Sequence, residues 1–398
     1  MKKSIAALSA ILAGLLVVVA AWAGLLEPSG LNSRFPFSDQ TSFKQYCRKM
    51  AKVIVQARKL GPGPGDQTVL AANRPYELTP KGRPPYRRGI IILHGLTDSP
   101  YILKPLARHF HEQGFLVRGL LLPGHGTVPG DLREVDYQAW EKAVAWAVKR
   151  TRPKVKELFL CGFSTDGALA VEYAVSHPEE IRAMVLISPA LKIKSALAWA
   201  TVPLKQLKKW LTVRENLDYA RYESFAMNAT GEVWRLSGKV RNMAEGKELA
   251  APSFMVVSGS DQVIDADYAL SFFSRHLTNP LSRAISYDDH RPPPADRRII
   301  ITPAAVADEK ILDYSHLSPP MPPDDPHYGR NGDYRTCYHY LRSSKRRECR
   351  EGRGNFKGAV SLSNLWKGTL ERLSYNPRYD EMIARLDTFL AAVSQEKP

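Results

Sequence analysis

Ser164 lies where a short apolar run changes abruptly into a helical pattern. The run 158–161 is typical of a buried strand, and the pattern over 165–177 is that of a helix. A serine at the tip of a tight turn between a strand and a helix is exposed at the end of the sheet, with backbone N–H groups near its hydroxyl. Ser164 is therefore a candidate nucleophile, and the Thr165 N–H is a candidate donor to an oxyanion.

This turn departs from the Gly-x-Ser-x-Gly pattern at one position. Gly162 and Ser164 match the pattern, but Asp166 occupies the position of the last glycine and Gly167 follows it. The aspartate adds bulk where the helix should pack closely on the neighbouring strand, and it brings a carboxylate near Ser164. The alternative is an ordinary serine in a strand-to-helix turn, so the interpretation depends on the residues that accompany it.

A second donor and an acid occur at suitable places in the chain. Leu96 follows the apolar run 89–93 in a His-Gly-Leu-Thr-Asp segment, and the loop after such a strand supplies the other N–H of an oxyanion hole. Asp261 lies just past the apolar run 252–258, at the strand end where ligands bind in open α/β sheets. Asp265 directly precedes a predicted helix and is expected to cap it.

Where the nucleophilic serine lies on a strand-to-helix turn, the order along the chain is serine, acid, base. The histidine that acts as the base must therefore come after Asp261. His276 falls inside the predicted helix 267–276 and points away from the site. His316 comes after a late apolar run, 298–302, where a loop can carry it to the sheet edge, and we prefer it. The other candidates are His290, which lies in an Asp-Asp-His-Arg-Pro loop and is plausible, and the more distant His327 and His339.

The elements that must position these residues are apolar runs alternating with helical patterns. This alternation predicts βαβ units and a mostly parallel sheet buried on both faces, an α/β fold. It breaks over 192–250, a stretch rich in Trp, Tyr, Lys and Arg, which we expect to be a mostly helical insertion. An amphipathic helix over 379–393 closes the chain. The runs are 89–93, 115–122, 158–161, 181–187, 252–258 and 298–302.

The N-terminus carries an export signal. Lys2 and Lys3 precede a segment, 5–26, that has no charged residue and would span about 33 Å as a helix, enough for a hydrocarbon core. Ala21-Trp22-Ala23 offers a cleavage site, so the segment predicts either a signal peptide or a retained transmembrane anchor. Either way we expect the following domain outside the cytoplasm, secreted or membrane-anchored, and in the periplasm if the source is Gram-negative.

The formal net charge of +16 is concentrated in a basic block over 330–357. No nucleic-acid-binding motif accompanies it, so we do not expect a nucleic-acid partner. The simplest interpretation is a solvated surface loop, and attraction to anionic lipid is the alternative. In an exported protein Cys337 and Cys349 within the block could form a disulfide, with Cys47 as the competing partner. No Cys/His cluster has metal-ligand spacing, and the chemistry needs no cofactor.

Taken in order, these segments resemble the monoacylglycerol lipase and carboxylesterase branch of the α/β-hydrolases. The resemblance rests on five segments, and residues 326–340 resemble an exported or membrane-anchored bacterial subgroup. It implies the α/β-hydrolase fold with a lid over the site at about 192–250. Because Asp261 and His316 are 55 positions apart, it also implies an insertion around 279–298. The five segments are 94–100, 122–127, 162–165, 258–265 and 315–316.

The resemblance implies ester hydrolysis through an acyl-enzyme, with Ser164, His316 and Asp261 as the triad. We expect a lipid-like ester as substrate. A catalytically weak protein that binds lipid or a partner, which Asp166 would favour, and an acyltransferase are the alternatives. The predicted organisation is a signal or anchor (1–26), N-terminal elements (27–88), the first half of the core (89–191), the lid (192–250) and the second half of the core (251–398). The second half contains a basic insertion (327–357).

Overall fold

The apolar runs form the strands of one eight-stranded sheet in the computed structural model, which describes residues 26–35, 37–352 and 354–395. The strand order is β1-β3-β2-β4-β5-β8-β9-β10. Only β1 is antiparallel to its neighbour in this sheet. The bounds are β1 Tyr76–Leu78, β2 Tyr86–Leu93, β3 Leu116–Leu120, β4 Val155–Phe163, β5 Ala183–Ile187, β8 Ser253–Ser258, β9 Arg283–Tyr287 and β10 Ile299–Thr302.

Both faces of the sheet are buried because the later residues of its central strands, such as 90–93 of β2 and 158–161 of β4, are apolar. In β4, Leu158 and Leu160 pack into one core, and Phe159 and Phe163 pack into the other. Successive side chains of a strand point to opposite faces, so one continuous apolar run supplies both cores. The predicted α/β-hydrolase fold, a mostly parallel sheet with helices on both faces, is confirmed.

Helices cover the two faces of the sheet. The helix Pro64–Asn73 was not predicted, because Gly61 to Gly65 is rich in helix breakers. Pro64 is nevertheless the first residue of this helix, where a missing N–H costs nothing. Among the described residues, the α-helices of four or more residues are α1 Phe43–Arg58, α2 Pro64–Asn73, α3 Lys104–Glu112, α4 Tyr137–Thr151, α5 Thr165–Ser176, α6 Thr201–Leu204, α7 Met227–Ala244, α8 Ala266–His276, α9 Ser343–Glu351, α10 Leu362–Leu365 and α11 Tyr379–Gln395.

The insertion over 192–250 is less helical than expected. It contains α6 and the long helix α7, but between them lies a short antiparallel hairpin of β6 (Trp210–Thr212) and β7 (Phe225–Ala226). With only three and two residues, these strands give too little period-2 alternation to be recognised in the sequence. This insertion, which we call the lid, covers the carboxyl end of the sheet at β4.

The expectation of an insertion around 279–298 was wrong in its position. Residues Arg283–Tyr287 are strand β9, which pairs with β8 on one side and β10 on the other. The extra length between Asp261 and His316 is therefore partly sheet, and the irregular chain begins only after Tyr287. A five-residue strand with Arg283 at its start and two serines nearby lacked the apolar run that marked the other strands.

The basic block is not simply a solvated loop. Tyr334 and Cys337 are buried, and the structure joins Cys337 to Cys349 in a disulfide. At the end of the block, strand β11 (Phe356–Gly358) pairs in parallel with β12 (Leu370–Arg372). Some charged side chains of the basic block have an oppositely charged neighbour; Arg335, for example, lies beside Glu371. The block is thus a folded segment that packs against the rest of the molecule.

Residues 26–35, at the start of the described chain, pack on the loop that follows β3. Ser29 bonds through both its N–H and its hydroxyl to the buried carboxylate of Asp131, at 2.6 and 2.7 Å. The Asn32 side chain donates to the carbonyl of His125 at 2.7 Å. Apart from residue 26, the predicted signal or anchor lies outside the described residues. Within them, no helix has the length and hydropathy to cross a membrane.

Candidate active site

Ser164 occupies a strained turn between β4 and α5. Its backbone has φ 54° and ψ −119°, a conformation that a residue with a side chain rarely adopts. Hydrogen bonds hold it there: its N–H donates to the Ile187 carbonyl at 2.9 Å, and its carbonyl accepts from Ala190 N–H at 2.8 Å. A Cβ on Gly162 would lie 2.2 Å from the Asp166 carbonyl oxygen, so only glycine fits beside this turn.

The structure brings Ser164, His316 and Asp261 together. Ser164 Oγ lies 2.8 Å from His316 Nε2, and His316 Nδ1 lies 2.6 Å from Asp261 Oδ2. All three side chains are buried. They are supplied by three separate loops, each at the carboxyl end of the sheet. This is the geometry of a nucleophile, a base and an orienting carboxylate.

The environment of Asp261 keeps it ionised and thereby fixes the imidazole tautomer. Burial alone would raise its pKa, but the attraction and hydrogen bond of His316, with N–H donors from Ile264 and Val263, lower the pKa below its usual value. An ionised carboxylate can only accept hydrogen bonds, so His316 Nδ1 must carry the proton. Nε2 is then free to accept the hydroxyl proton of Ser164.

Two backbone N–H groups lie beside Ser164 in the predicted places. Thr165 begins the 12-residue helix α5, and Leu96 lies in the loop after β2; both line the same cavity as Ser164. Within the described chain neither N–H has an acceptor. The helix dipole of α5 adds partial positive charge at Thr165. A developing oxyanion at Ser164 would therefore meet unpaired donors.

Gly95 lets the loop after β2 pack tightly on the turn that carries Ser164. A Cβ at Gly95 would lie 2.7 Å from Asp98 Oδ2, 2.9 Å from a Phe163 ring atom and 3.1 Å from Ser164 Cβ. The absence of a side chain therefore lets Leu96 and Ser164 line one cavity. Asp98, which sequence reasoning did not single out, is brought to the same place.

Asp166 does not enter the cavity. Its side chain is buried, with Oδ2 unpaired and 4.0 Å from His94 Nδ1. Burial, followed by the charge of Asp98, raises the pKa of the Asp166 carboxyl well above its usual value and so favours its neutral form. The close packing expected at this position is found at Gly167, where a Cβ would lie 2.9 Å from Pro189.

A cavity of about 490 Å³ opens above Ser164. Its walls are largely apolar side chains of the lid, and Val263 and Leu317 complete them from the core. Two arginines that sequence reasoning missed, Arg221 of the lid and Arg372 of β12, also line it. Neither arginine stood out because each lies far along the chain from the motif residues. The apolar lid residues are Ile193, Leu197, Ala198, Leu211, Phe225 and Val233.

The other candidate histidines lie elsewhere. His290 is exposed in the loop after β9, and His276 lies in the last turn of α8, where its Nδ1 bonds to the Lys247 carbonyl. His327 is held between Asp218 and Asp333, and His339 is not part of the cavity lining. Asp265 caps α8 as predicted, through a 3.0 Å bond from Tyr268 N–H.

The chain is similar in sequence to known hydrolases. The family described as serine aminopeptidase, S33 (Hydrolase_4) matches residues 84–224. The chain is 26% identical over 181 residues to a thermostable monoacylglycerol lipase of Bacillus sp. (strain H-257), covering 44% of this chain and 71% of the relative. It is 23% identical over 190 residues to a carboxylesterase of Bacillus subtilis (strain 168), covering 46% and 75%.

A solved structure of metagenome-derived lipolytic enzymes, LipS and LipT, covers 55% of this chain and 87% of its own chain, with a TM-score of 0.49 and 21% identity. The order of the strands in the sheet, the strained turn at Ser164 and the similarity to the relatives in sequence all indicate the same fold. The chain has the α/β-hydrolase fold and is similar in sequence to a monoacylglycerol lipase and a carboxylesterase.

Proposed function

We propose that this protein hydrolyses carboxylic esters through an acyl-enzyme on Ser164. The observation that carries the proposal is the bonded series Ser164–His316–Asp261 at the base of a largely apolar cavity. His316 takes the hydroxyl proton as Ser164 attacks the ester carbonyl, and returns it to the leaving alcohol. Asp261 stabilises the imidazolium that forms between these two steps.

The Leu96 and Thr165 N–H groups stabilise the oxyanion in this mechanism. Water then attacks the acyl-enzyme, with His316 again as base, and releases the acid. The apolar walls of the lid favour a lipid-like or medium-chain acyl group, consistent with the monoacylglycerol lipase among the relatives. The uncharged segment 5–26 supports a location outside the cytoplasm, either anchored to the membrane or secreted.

Ser164→Ala tests the nucleophile directly. We expect kcat on p-nitrophenyl esters to fall by at least about 10⁴-fold, because members of a triad act as a unit. A fluorophosphonate probe should label the wild-type protein and not the variant. An acyltransferase would instead pass the acyl group to an added alcohol in preference to water, which product analysis detects.

Ser188→Ala is the matched control. Ser188 is buried at the end of the neighbouring strand, also has a positive φ of 44°, and its Oγ has no hydrogen-bond partner. Removing that hydroxyl should leave labelling and turnover near wild type. Full esterase activity in Ser164→Ala would contradict the proposal, and an unlabelled wild-type protein would favour a catalytically weak binding protein.

A further inference from the structure

Arg221 and Arg372 place two guanidinium groups inside the cavity. Their exposed fractions are only 6% and 8%, and both residues line the cavity that holds Ser164. Taking a cation out of water is costly unless partners replace its hydration. The bonds that each guanidinium makes therefore decide whether the protein alone satisfies it.

The protein satisfies neither group completely. Arg221 donates from Nη2 to Thr97 Oγ1 at 3.2 Å, and its Nε lies 3.5 Å from Asp98 Oδ1, yet Nε and Nη1 have no hydrogen-bond partner. Arg372 bonds from Nη1 to the Tyr338 hydroxyl, and its Nε is unpaired. Among the described residues, no carboxylate oxygen lies within 4.0 Å of the Arg372 guanidinium.

The side chains that line the cavity include more cationic groups than carboxylates. Asp98 is the one carboxylate among its lining residues, against two guanidinium groups. Asp218 is the other acid that acts on Arg221, but its oxygens already accept from Ala220 N–H, His327 and the Tyr328 hydroxyl. One negative group of suitable size in the cavity would balance the charge of its lining.

This charged end lies close to the reacting centre. Asp98, the partner of Arg221, and Ser164 both approach the position that a Gly95 Cβ would occupy, at 2.7 and 3.1 Å. The apolar lid side chains form the remaining wall of the same cavity. A substrate that fills the cavity would thus place an apolar chain against the lid and a polar group near the ester.

We propose that Arg221 and Arg372 bind an anionic oxygen group, a carboxylate or a phosphate, that the ester substrate carries near its scissile bond. The planar guanidinium offers parallel N–H donors that match both groups. This inference rests on the proposed function, because it names the class of ester that the site selects. Neutral esters of the same length would leave the two arginines unsatisfied and bind less well.

Two matched pairs of esters test the proposal with wild-type protein. The carboxylate pair is p-nitrophenyl hydrogen glutarate and its neutral methyl ester. The phosphate pair is 1-octanoylglycerol 3-phosphate and 1-octanoylglycerol. We expect kcat/KM to be at least about tenfold higher for the anionic member of one pair, since a hydrogen bond to a charged group is worth about that factor. The pair that responds identifies the anionic group together with the side of the ester, acyl or alcohol, on which it lies.

Arg372→Gln should remove this preference while the neutral esters are still cleaved. Arg372→Lys keeps the positive charge and should therefore retain part of the preference for the anionic ester. Arg335→Gln is the control, because Arg335 belongs to the same basic segment, has a carboxylate partner in Glu371 and does not line the cavity. We expect Arg335→Gln to keep the preference of the wild type.

The possible outcomes separate this inference from the proposed function. Equal kcat/KM within both pairs, or a preference that survives in folded Arg372→Gln, overturns the anion site and leaves the hydrolase intact. No cleavage of any of the four esters, without fluorophosphonate labelling, overturns the hydrolase. In that case calorimetry on Ser164→Ala still decides the anion site: 1-octanoylglycerol 3-phosphate must bind more tightly than 1-octanoylglycerol, and Arg372→Gln must abolish the difference.

Discussion

At the scale of single residues, Asp166 changes the chemistry of the turn less than its charge suggests. The carboxyl is buried beside His94, a histidine whose own pKa burial lowers well below its usual value. Both shifts favour the neutral form of the group, which opposes a buried ion pair between them. We therefore expect Asp166 to affect the stability of the protein, and the dependence of that stability on pH, more than the rate of turnover.

Asp166→Asn should stabilise the protein at neutral pH. The folded-state pKa is raised, so above about pH 4 the unfolded chain has lost its proton while the folded protein keeps it, and unfolding becomes easier as pH rises. Asparagine does not titrate. In urea titrations we expect the variant to exceed wild type in unfolding free energy at pH 7 to 8, and the difference to shrink towards pH 4.

Asp265→Asn provides a control of opposite sign. Its pKa is lowered, because hydrogen bonds from Lys192 and Tyr268 N–H outweigh the effect of burial. Its stabilising contribution is present above pH 4 and is lost as pH falls through the lowered pKa. Asp265→Asn should therefore have a lower free energy of unfolding than wild type at pH 7, and the difference should shrink at low pH. A pH-independent difference for Asp166→Asn would contradict the argument.

At the scale of elements, the lid is attached to the segment after the triad histidine by a charged contact. His327 Nε2 lies 2.9 Å from Asp218 of the lid, and Nδ1 bonds to Asp333. Burial would lower the pKa of His327, but the two carboxylates outweigh it and raise the pKa above its usual value. This contact is one reason why the first part of the basic segment is ordered.

The attachment should weaken as pH rises. Its stabilising contribution is complete below about pH 6.5 and is lost as pH rises through the raised pKa of His327. Hydrogen exchange over 214–224, corrected for intrinsic rates, should therefore show less protection at pH 9 than at pH 6. His327→Gln should remove this dependence on pH, and an equal response in variant and wild type would contradict the role of His327.

The elements were predictable where the sequence pattern was long. Strands such as β4 contain a continuous apolar run, Ser164 and Asp261 come shortly after such runs, and His316 lies in the loop region beyond the run 298–302. The lid hairpin and β9 were missed because they are short or mixed in polarity, and non-local pairing stabilises them. Arg221 and Arg372 could not be predicted, since no local pattern indicates that residues 151 positions apart in the sequence will line one cavity.

At the scale of the whole molecule, residues 26–35 act as part of the core domain. They satisfy the carboxylate of Asp131, whose exposed fraction is 0%, and the carbonyl of His125 in the loop after β3. The ion pair between Glu27 and Arg133 adds little, because Glu27 is largely exposed. Residues 26–35 therefore belong to the folded domain, although they lie well before the first strand.

Removing residues 26–35 should destabilise the domain. A chain that begins at residue 36 leaves the buried Asp131 carboxylate without the two bonds from Ser29, a loss of at least about 2 kcal/mol in unfolding free energy. Chemical denaturation against a chain that begins at residue 26 measures the difference. Ser29→Ala in the longer chain should account for part of it. Identical midpoints for the two chains would show that these contacts contribute nothing.

The contact between the lid and the loop after β2 limits how this protein can be re-engineered. The Tyr222 N–H donates to the Thr97 carbonyl at 2.7 Å, directly beside the Leu96 donor. A lid transplanted from another hydrolase to broaden substrate range would break this contact and loosen the loop. Successful chimaeras should therefore retain residues 221–222 together with the original loop after β2. The junctions between the two parent sequences should lie outside these residues.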